Sequence, residues 1–199
     1  MPDAPDLAAP DSAICRAARD LLRRAAPAPL VGHCERTFLL GAALLGTRWP
    51  ACDREVVYVA AALHDLGLTS EPAGEAEFQD VGAAECAELV LRETGDDRRA
   101  ELARAAVALH LELSSADDPR PEVAAVHLGA AADVVGARVE DLPAGLLDEV
   151  LDQWPRQRFP EWMSAAMRRE AELRPRSTAA LYVRELGLLD LIAAARLPS

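Results

Sequence analysis

The apolar run Val56-Val57-Tyr58-Val59-Ala60-Ala61-Ala62-Leu63 stops at the dipeptide His64-Asp65. Asp53 stands ahead of the run as a cap and Glu55 places an acid in the first turn. The spacing predicts a helix whose apolar face carries Val56, Val59, Ala60 and Leu63. Gly67 is expected to end it. Asp65 then falls at a helix C-terminus, where the dipole disfavours a carboxylate by roughly 0.3–1 kcal/mol. A residue set against its local preference invites a functional reason.

The same logic makes the whole chain helical. Hydrophobic residues are 51% of the 199, many of them Ala, and aromatics are only 4%. No long run is dominated by β-branched residues, so the expectation is an all-α fold, a single-domain helical bundle with one core. Residues 1–11 read as a disordered lead and 12–199 as the folded unit. Helices are expected over about 12–26, 31–48, from Asp53 through the apolar run, 80–93, 97–113, 122–137, 143–153, 160–173 and 178–196. The last is broken near Gly187. Pro27 and Pro29 separate the first two helices, Trp49-Pro50 closes the second, and Gly95 stops the fourth. Whether the Ala- and Leu-rich C-terminal helices pack on the core or on a second copy of the chain, as a homo-oligomer, is open at this stage.

Charge and composition exclude several classes. A net charge of −12 argues against a nucleic-acid partner, which needs basic patches. It also disfavours highly anionic substrates. The chain contains neither Lys nor Asn, which reads as GC-rich, bacterial coding bias. Cys15, Cys34, Cys52 and Cys86 show no CxxC spacing and read as reduced thiols. No basic leader precedes an apolar core, and no stretch reaches membrane-span length, so the expectation is a cytoplasmic protein without a membrane.

His33 in the second helix, His64-Asp65 after the third and Asp133 in the sixth supply two imidazoles and two carboxylates from three helices. A metal site in a bundle is built in that way, and this set neutralises a divalent ion while leaving room for water, as metal-assisted hydrolysis requires. Each residue has a plainer alternative. His33 alone would be a surface or capping histidine, His64 a hydrogen-bonded core histidine, and Asp133 a buried helix cap. Buried carboxylates are rare unless paired or metal-bound, and Gly129, Ala130 and Gly136 leave close-approach space around Asp133. His110, also at the end of an apolar helix, is a candidate acid/base and substrate-orienting group, or a satisfied core histidine. His127 lies about 120° around its helix from Asp133 and is not expected on the metal face. Arg36, one turn after His33, either orients a substrate or forms an ion pair.

This order of residues resembles the HD-domain metal-dependent hydrolase superfamily. The local text, His33-Cys34-Glu35-Arg36-Thr37-Phe38 and Ala61-Ala62-Leu63-His64-Asp65-Leu66-Gly67-Leu68-Thr69, is similar to its cyanamide hydratase-like branch. Phe78, Gly82-Ala83, Leu109-His110, Gly129, Gly136 and Trp154-Pro155-Arg156-Gln157-Arg158-Phe159 extend the likeness over roughly 33–175. The resemblance implies an HD-type helical bundle with one divalent metal, commonly zinc with iron or manganese as alternatives, held by His33, His64, Asp65 and Asp133. It further implies water addition to a small molecule, giving urea from cyanamide. The residues themselves offer Asp65 and His110 as the catalytic groups and His110 and Arg36 as contacts to substrate. Other readings are an HD-type phosphohydrolase using Arg36, Arg156 and Arg158, a dinuclear iron oxygenase, and a binding protein without catalysis. No His occurs between Asp65 and Leu109, which argues against a second metal.

Overall fold

Every described segment of regular structure is helical, as the composition requires. The computed structural model describes residues 8–69, 75–195 and 197, and among these there is no strand. The α-helices are α1 (Ala13–Ala25), α2 (Ala28–Leu45), α3 (Arg54–Leu63), α4 (Phe78–Thr94), α5 (Asp97–Ala108), α6 (Pro121–Val135), α7 (Leu146–Gln153), α8 (Phe159–Leu173), α9 (Thr178–Glu185) and α10 (Leu188–Ala194). The first seven residues of the expected lead, and residues 70–74 of the loop before α4, lie outside the described set. Residues 8–11 form no regular structure. No described helix is long and apolar enough to cross a membrane.

Side-chain caps open α1 and α3, the second at Asp53 as expected. Ser12 accepts the Cys15 N–H at the head of α1, and Asp53 accepts the Val56 N–H at the head of α3. Gly136 closes α6 in the left-handed conformation, and Gly187 separates α9 from α10 with φ of 63°.

Five boundaries differ from expectation by three residues or more, each for a local reason. α3 ends at Leu63, before Gly67, where the His64 ring takes the Ala61 carbonyl, and α7 starts at Leu146 and not at Pro143, after Gly145 with φ of 84°. Pro29 does not keep α2 from starting early. It sits in the first turn, where its missing N–H has no carbonyl to reach, so α2 starts at Ala28 and not at Val31. The same helix ends at Leu45 because Gly46 takes a φ of 56° and Trp49-Pro50 coil into a 3-10 turn, Gly46–Ala51. Most consequential, α5 ends at Ala108 and not at Leu113, with no Gly or Pro to stop it. The His110 imidazole takes the Val107 carbonyl, the acceptor that the next turn's N–H would have used.

Helices α1–α6 enclose the main core, with α7 packed on it. A smaller cluster of Leu68, Phe78, Phe159, Met163, Met167, Ala179 and Ile192 lies under α8–α10. The C-terminal helices therefore pack on this chain, against α6 and one another, and leave Leu181, Leu186 and Leu191 nearly half exposed.

The most extensive helix pair is α2 against α6, and glycine makes it so close. A Cβ on Gly129 would stand 1.9 Å from the Thr37 carbonyl oxygen, and one on Gly41 would stand 2.1 Å from that of Ala125. Both obstacles are backbone, so neither can swing aside. The facing pairs Gly41 with Ala125 and Thr37 with Gly129 advance by one helical turn in opposite directions along the two helices. The next step of that register is His33 with Asp133, in hydrogen-bond contact at 2.7 Å. Replacing Gly129 with Ala should cost about 3 kcal/mol or more through overpacking, lowering the Tm by about 6–12 °C. Thermal unfolding followed by circular dichroism checks this, and an unchanged Tm would show that the two backbones are not in contact.

Candidate metal centre

The site is assembled at helix ends. At the last turn of α3, the Nδ1–H of His64 donates to the Ala61 carbonyl at 2.8 Å. Beyond α5, the Nδ1–H of His110 donates to the Val107 carbonyl in the same i−3 relation. A carbonyl can only accept, so in both rings Nδ1 carries a proton, and His64, whose charging burial opposes, presents a lone pair at Nε2. The sequence signal for this is plain in retrospect: each apolar helix runs straight into a histidine with no Gly or Pro between.

His33, on the buried side of α2, is fixed from another direction. Its Nδ1–H donates to Asp133 Oδ2 at 2.7 Å. Asp133 is gripped in turn by Arg36, whose Nε meets Oδ1 at 2.7 Å and whose Nη2 meets Oδ2 at 2.8 Å. This two-toothed pairing fixes the carboxylate plane. The remaining Arg36 nitrogen donates to the Trp154 and Pro155 carbonyls, and Arg156 donates to the Asp133 backbone carbonyl at 2.6 Å. Phe159 stacks on the His33 ring at 4.5 Å between centroids, and both guanidinium groups lie over the Phe159 ring at 5.3 Å.

With these outer nitrogens occupied, three acceptors converge. His33 Nε2 and His64 Nε2 are 3.1 Å apart, and Asp65 Oδ2 lies 3.3 Å from the first and 3.4 Å from the second. All three residues are buried. Lone pairs so close repel unless a cation or a shared proton lies among them. Metal bonds of about 2.0–2.2 Å place neighbouring ligand atoms roughly 2.9–3.5 Å apart, which matches this triangle. The donor set, two imidazoles and a carboxylate, suits zinc and other divalent first-row ions. His33, His64 and Asp65 are the one group of potential ligands among the described residues that converges in this way.

Titration follows the same geometry. Burial depresses the His64 pKa to about 3, with the charge of Asp65 opposing and the neighbouring His110 and His33 adding to the fall. Burial also resists charging His33, yet hydrogen bonds and charges from Asp133 and Asp65 leave its pKa raised. Burial alone would raise Asp133; the His33 and Arg36 hydrogen bonds outweigh it and hold its pKa at about 2. Asp65 is likewise held well below the usual carboxylate range, against burial, by the imidazoles around it. The residue that local helix electrostatics disfavours is thus stabilised by tertiary partners.

Each expected site residue has a definite place. His33, His64 and Asp65 form the triangle. Asp133 reaches the same centre but on the opposite ring nitrogen of His33, with both oxygens engaged. Arg36, weighed as a substrate-orienting group, is fully buried in its ion pair and does not border the cavity. His110 places Nε2 3.4 Å from Asp65 Oδ1. Cys34 is buried beside the site with its thiol pKa pushed well up by burial, outside the triangle. His127, not expected on the metal face, stays outside the triangle yet borders the same cavity and donates to the His110 backbone carbonyl at 2.8 Å. Phe159 and Arg156 are visible in the sequence only as part of a family-like segment; their stacking and pairing roles depend on a return of the chain that no local pattern reveals.

A cavity of about 160 Å³ opens over the triangle. Its floor carries His33, His64, Asp65, His110 and His127; its walls, from α6 and α8–α10, are apolar. Helices and site together define the class of protein. The chain matches the HD domain family over residues 30–192 and belongs to it. It is also 26% identical over 160 residues to a Saccharomyces cerevisiae protein named cyanamide hydratase DDI2, a match covering 78% of this chain and 70% of that relative. The yeast cyanamide hydratase DDI3 matches with the same figures.

Two substitutions test the arrangement by metal content. Asp65→Ala should lose the metal, whereas His127→Ala should keep it; the reverse pattern would contradict the triangle. Asp133→Asn should weaken metal affinity by about 10–100-fold by loosening His33. It should also destabilise the fold by about 3–5 kcal/mol, because Arg36 is left buried without its counter-ion. Titration with a chelator competitor and chemical unfolding measure the two effects. Complete loss of metal in Asp133→Asn would instead make Asp133 a direct ligand.

Proposed function

We propose that this chain is a mononuclear metal-dependent hydratase that adds water to a small, weakly charged, nitrile-like molecule such as cyanamide, with zinc as the resident ion. His33, His64 and Asp65 would hold the metal, and Asp133 would orient His33. A bound divalent ion supplies acidified water, lowering its pKa from about 15.7 toward 7. Water addition across C≡N moves both water protons from oxygen to the nitrile nitrogen; the first gives the isourea and the second its tautomer, urea, from cyanamide. His110 is placed for that transfer. Its Nε2, the ring nitrogen left free by the Val107 bond, lies at the cavity floor 3.4 Å from Asp65 Oδ1 and would pass protons from the attacking water to the substrate nitrogen. Asp65, beside it, stabilises the imidazolium that forms in between.

The observation that carries this reading is the cavity itself. Its polar groups are confined to the floor, and no arginine is among its described lining residues. The three arginines that would serve a phosphohydrolase are elsewhere: Arg36 and Arg156 are buried on Asp133, and Arg158 is exposed. An apolar cavity of about 150 Å³ holds a molecule of benzene's size, so the 160 Å³ here is scant for a nucleotide. The likeness to the yeast cyanamide hydratases supports the same choice, and the one triangle of ligands among the described residues supports a single metal.

The test is urea formation from cyanamide by the zinc-loaded chain, run beside phosphate release from nucleotides and phosphomonoesters. Urea without phosphate is the expected result; phosphate release without urea would favour the phosphohydrolase. His110→Ala should lower kcat by about 10²–10⁴-fold while leaving metal content unchanged.

A further inference from the structure

The cavity's walls say more about the substrate than its floor does. Above the imidazoles, Met163 and Met167 from α8 face Val134 and Val135 at the end of α6. Leu186 and Leu191, from the C-terminal helices, continue the surface outward, and Leu113 edges the mouth with 66% of its surface exposed. Tyr182 is the polar member of the walls, and its hydroxyl is spent on the Leu111 carbonyl. A substrate therefore meets hydrogen-bonding and metal-binding groups at one end only and hydrocarbon along the rest. Cyanamide, an amino group joined directly to C≡N, has no apolar part. Bound at the floor, it would leave the walls facing water, an arrangement that wastes the burial for which such surface is suited.

Resting on the hydratase reading above, we infer that the substrate class is a nitrile or substituted cyanamide bearing an apolar group of about benzene's size. Its C≡N end lies on the imidazole floor and its apolar group lies against Met163, Met167 and the leucines of α10 and the turn before it. The methionines suit this task, since an unbranched thioether chain adapts to different hydrocarbon shapes. Hydration balances simply: the nitrile R–C≡N and one water give the primary amide of R, with no redox partner. Each methylene added to R should tighten binding about fourfold until the cavity is filled.

The experiment is a calorimetric titration of the zinc-loaded chain with acetonitrile, propionitrile, butyronitrile, valeronitrile and benzonitrile, with amide formation assayed in parallel. Affinity should climb through the alkyl series, and benzonitrile should bind more tightly than acetonitrile. Leu191→Glu should flatten that climb; it places a charge on a wall residue that is 47% exposed, so the packed core is untouched. Affinity that is flat or falls with chain length, or no nitrile binding, overturns the inference. Its fate is separable from that of the activity. A rising series without amide product upholds the apolar subsite and removes the hydratase reading, whereas urea from cyanamide with a flat series does the opposite.

Discussion

Three lone pairs pointed at one another inside a protein repel unless a positive charge lies among them. His33 Nε2, His64 Nε2 and Asp65 Oδ2 converge within 3.1–3.4 Å, and the tautomers that make them acceptors are fixed by partners on the other side of each ring. Burying such a set without a counter-charge is costly. Against burial, hydrogen bonds and charges from Asp133 and Asp65 raise the His33 pKa, and a proton there relieves part of the repulsion. A divalent cation relieves it more completely and accounts for the spacing. The rest of the fold can be understood as what keeps the three atoms from moving apart.

Two devices do this. The first is the self-capping helix end. His64 and His110 each take a last-turn carbonyl of their own helix, so the same hydrogen bond ends the helix, sets the tautomer and aims Nε2. The second is the α2–α6 contact. Gly41 and Gly129 let two backbones touch, and the register so fixed delivers Asp133 to the outer nitrogen of His33. Arg36 then holds Asp133, Arg156 holds its backbone, and Phe159 covers the His33 ring. The geometry of the site is a consequence of helix packing, not an addition to it.

Much of this is legible in the chain. Helix content, most caps and the placing of His33, His64 and Asp65 follow from periodicity, punctuation and the misplaced charge of Asp65. The glycines near Asp133 mark a close approach, though not its partner. Local pattern fails where a side chain overrides it. With no Gly or Pro before Leu113, the pattern carries α5 that far, whereas His110 stops the helix by taking a backbone acceptor. The angle of His127 to Asp133 puts it off the metal face, yet the cavity is wide enough to include it. The grip of Arg36 on Asp133 spans ninety-seven residues, and the apolar walls come from helices whose sequence is equally suited to ordinary core. Such long-range meetings leave no local trace.

Anomalous diffraction from crystals of the zinc-loaded chain, recorded on either side of the zinc edge, tests directly whether the triangle holds one metal. One strong peak per chain is expected, in contact with His33 Nε2, His64 Nε2 and Asp65. No peak there, a pair of peaks, or a peak held by other residues would contradict a single metal in the triangle.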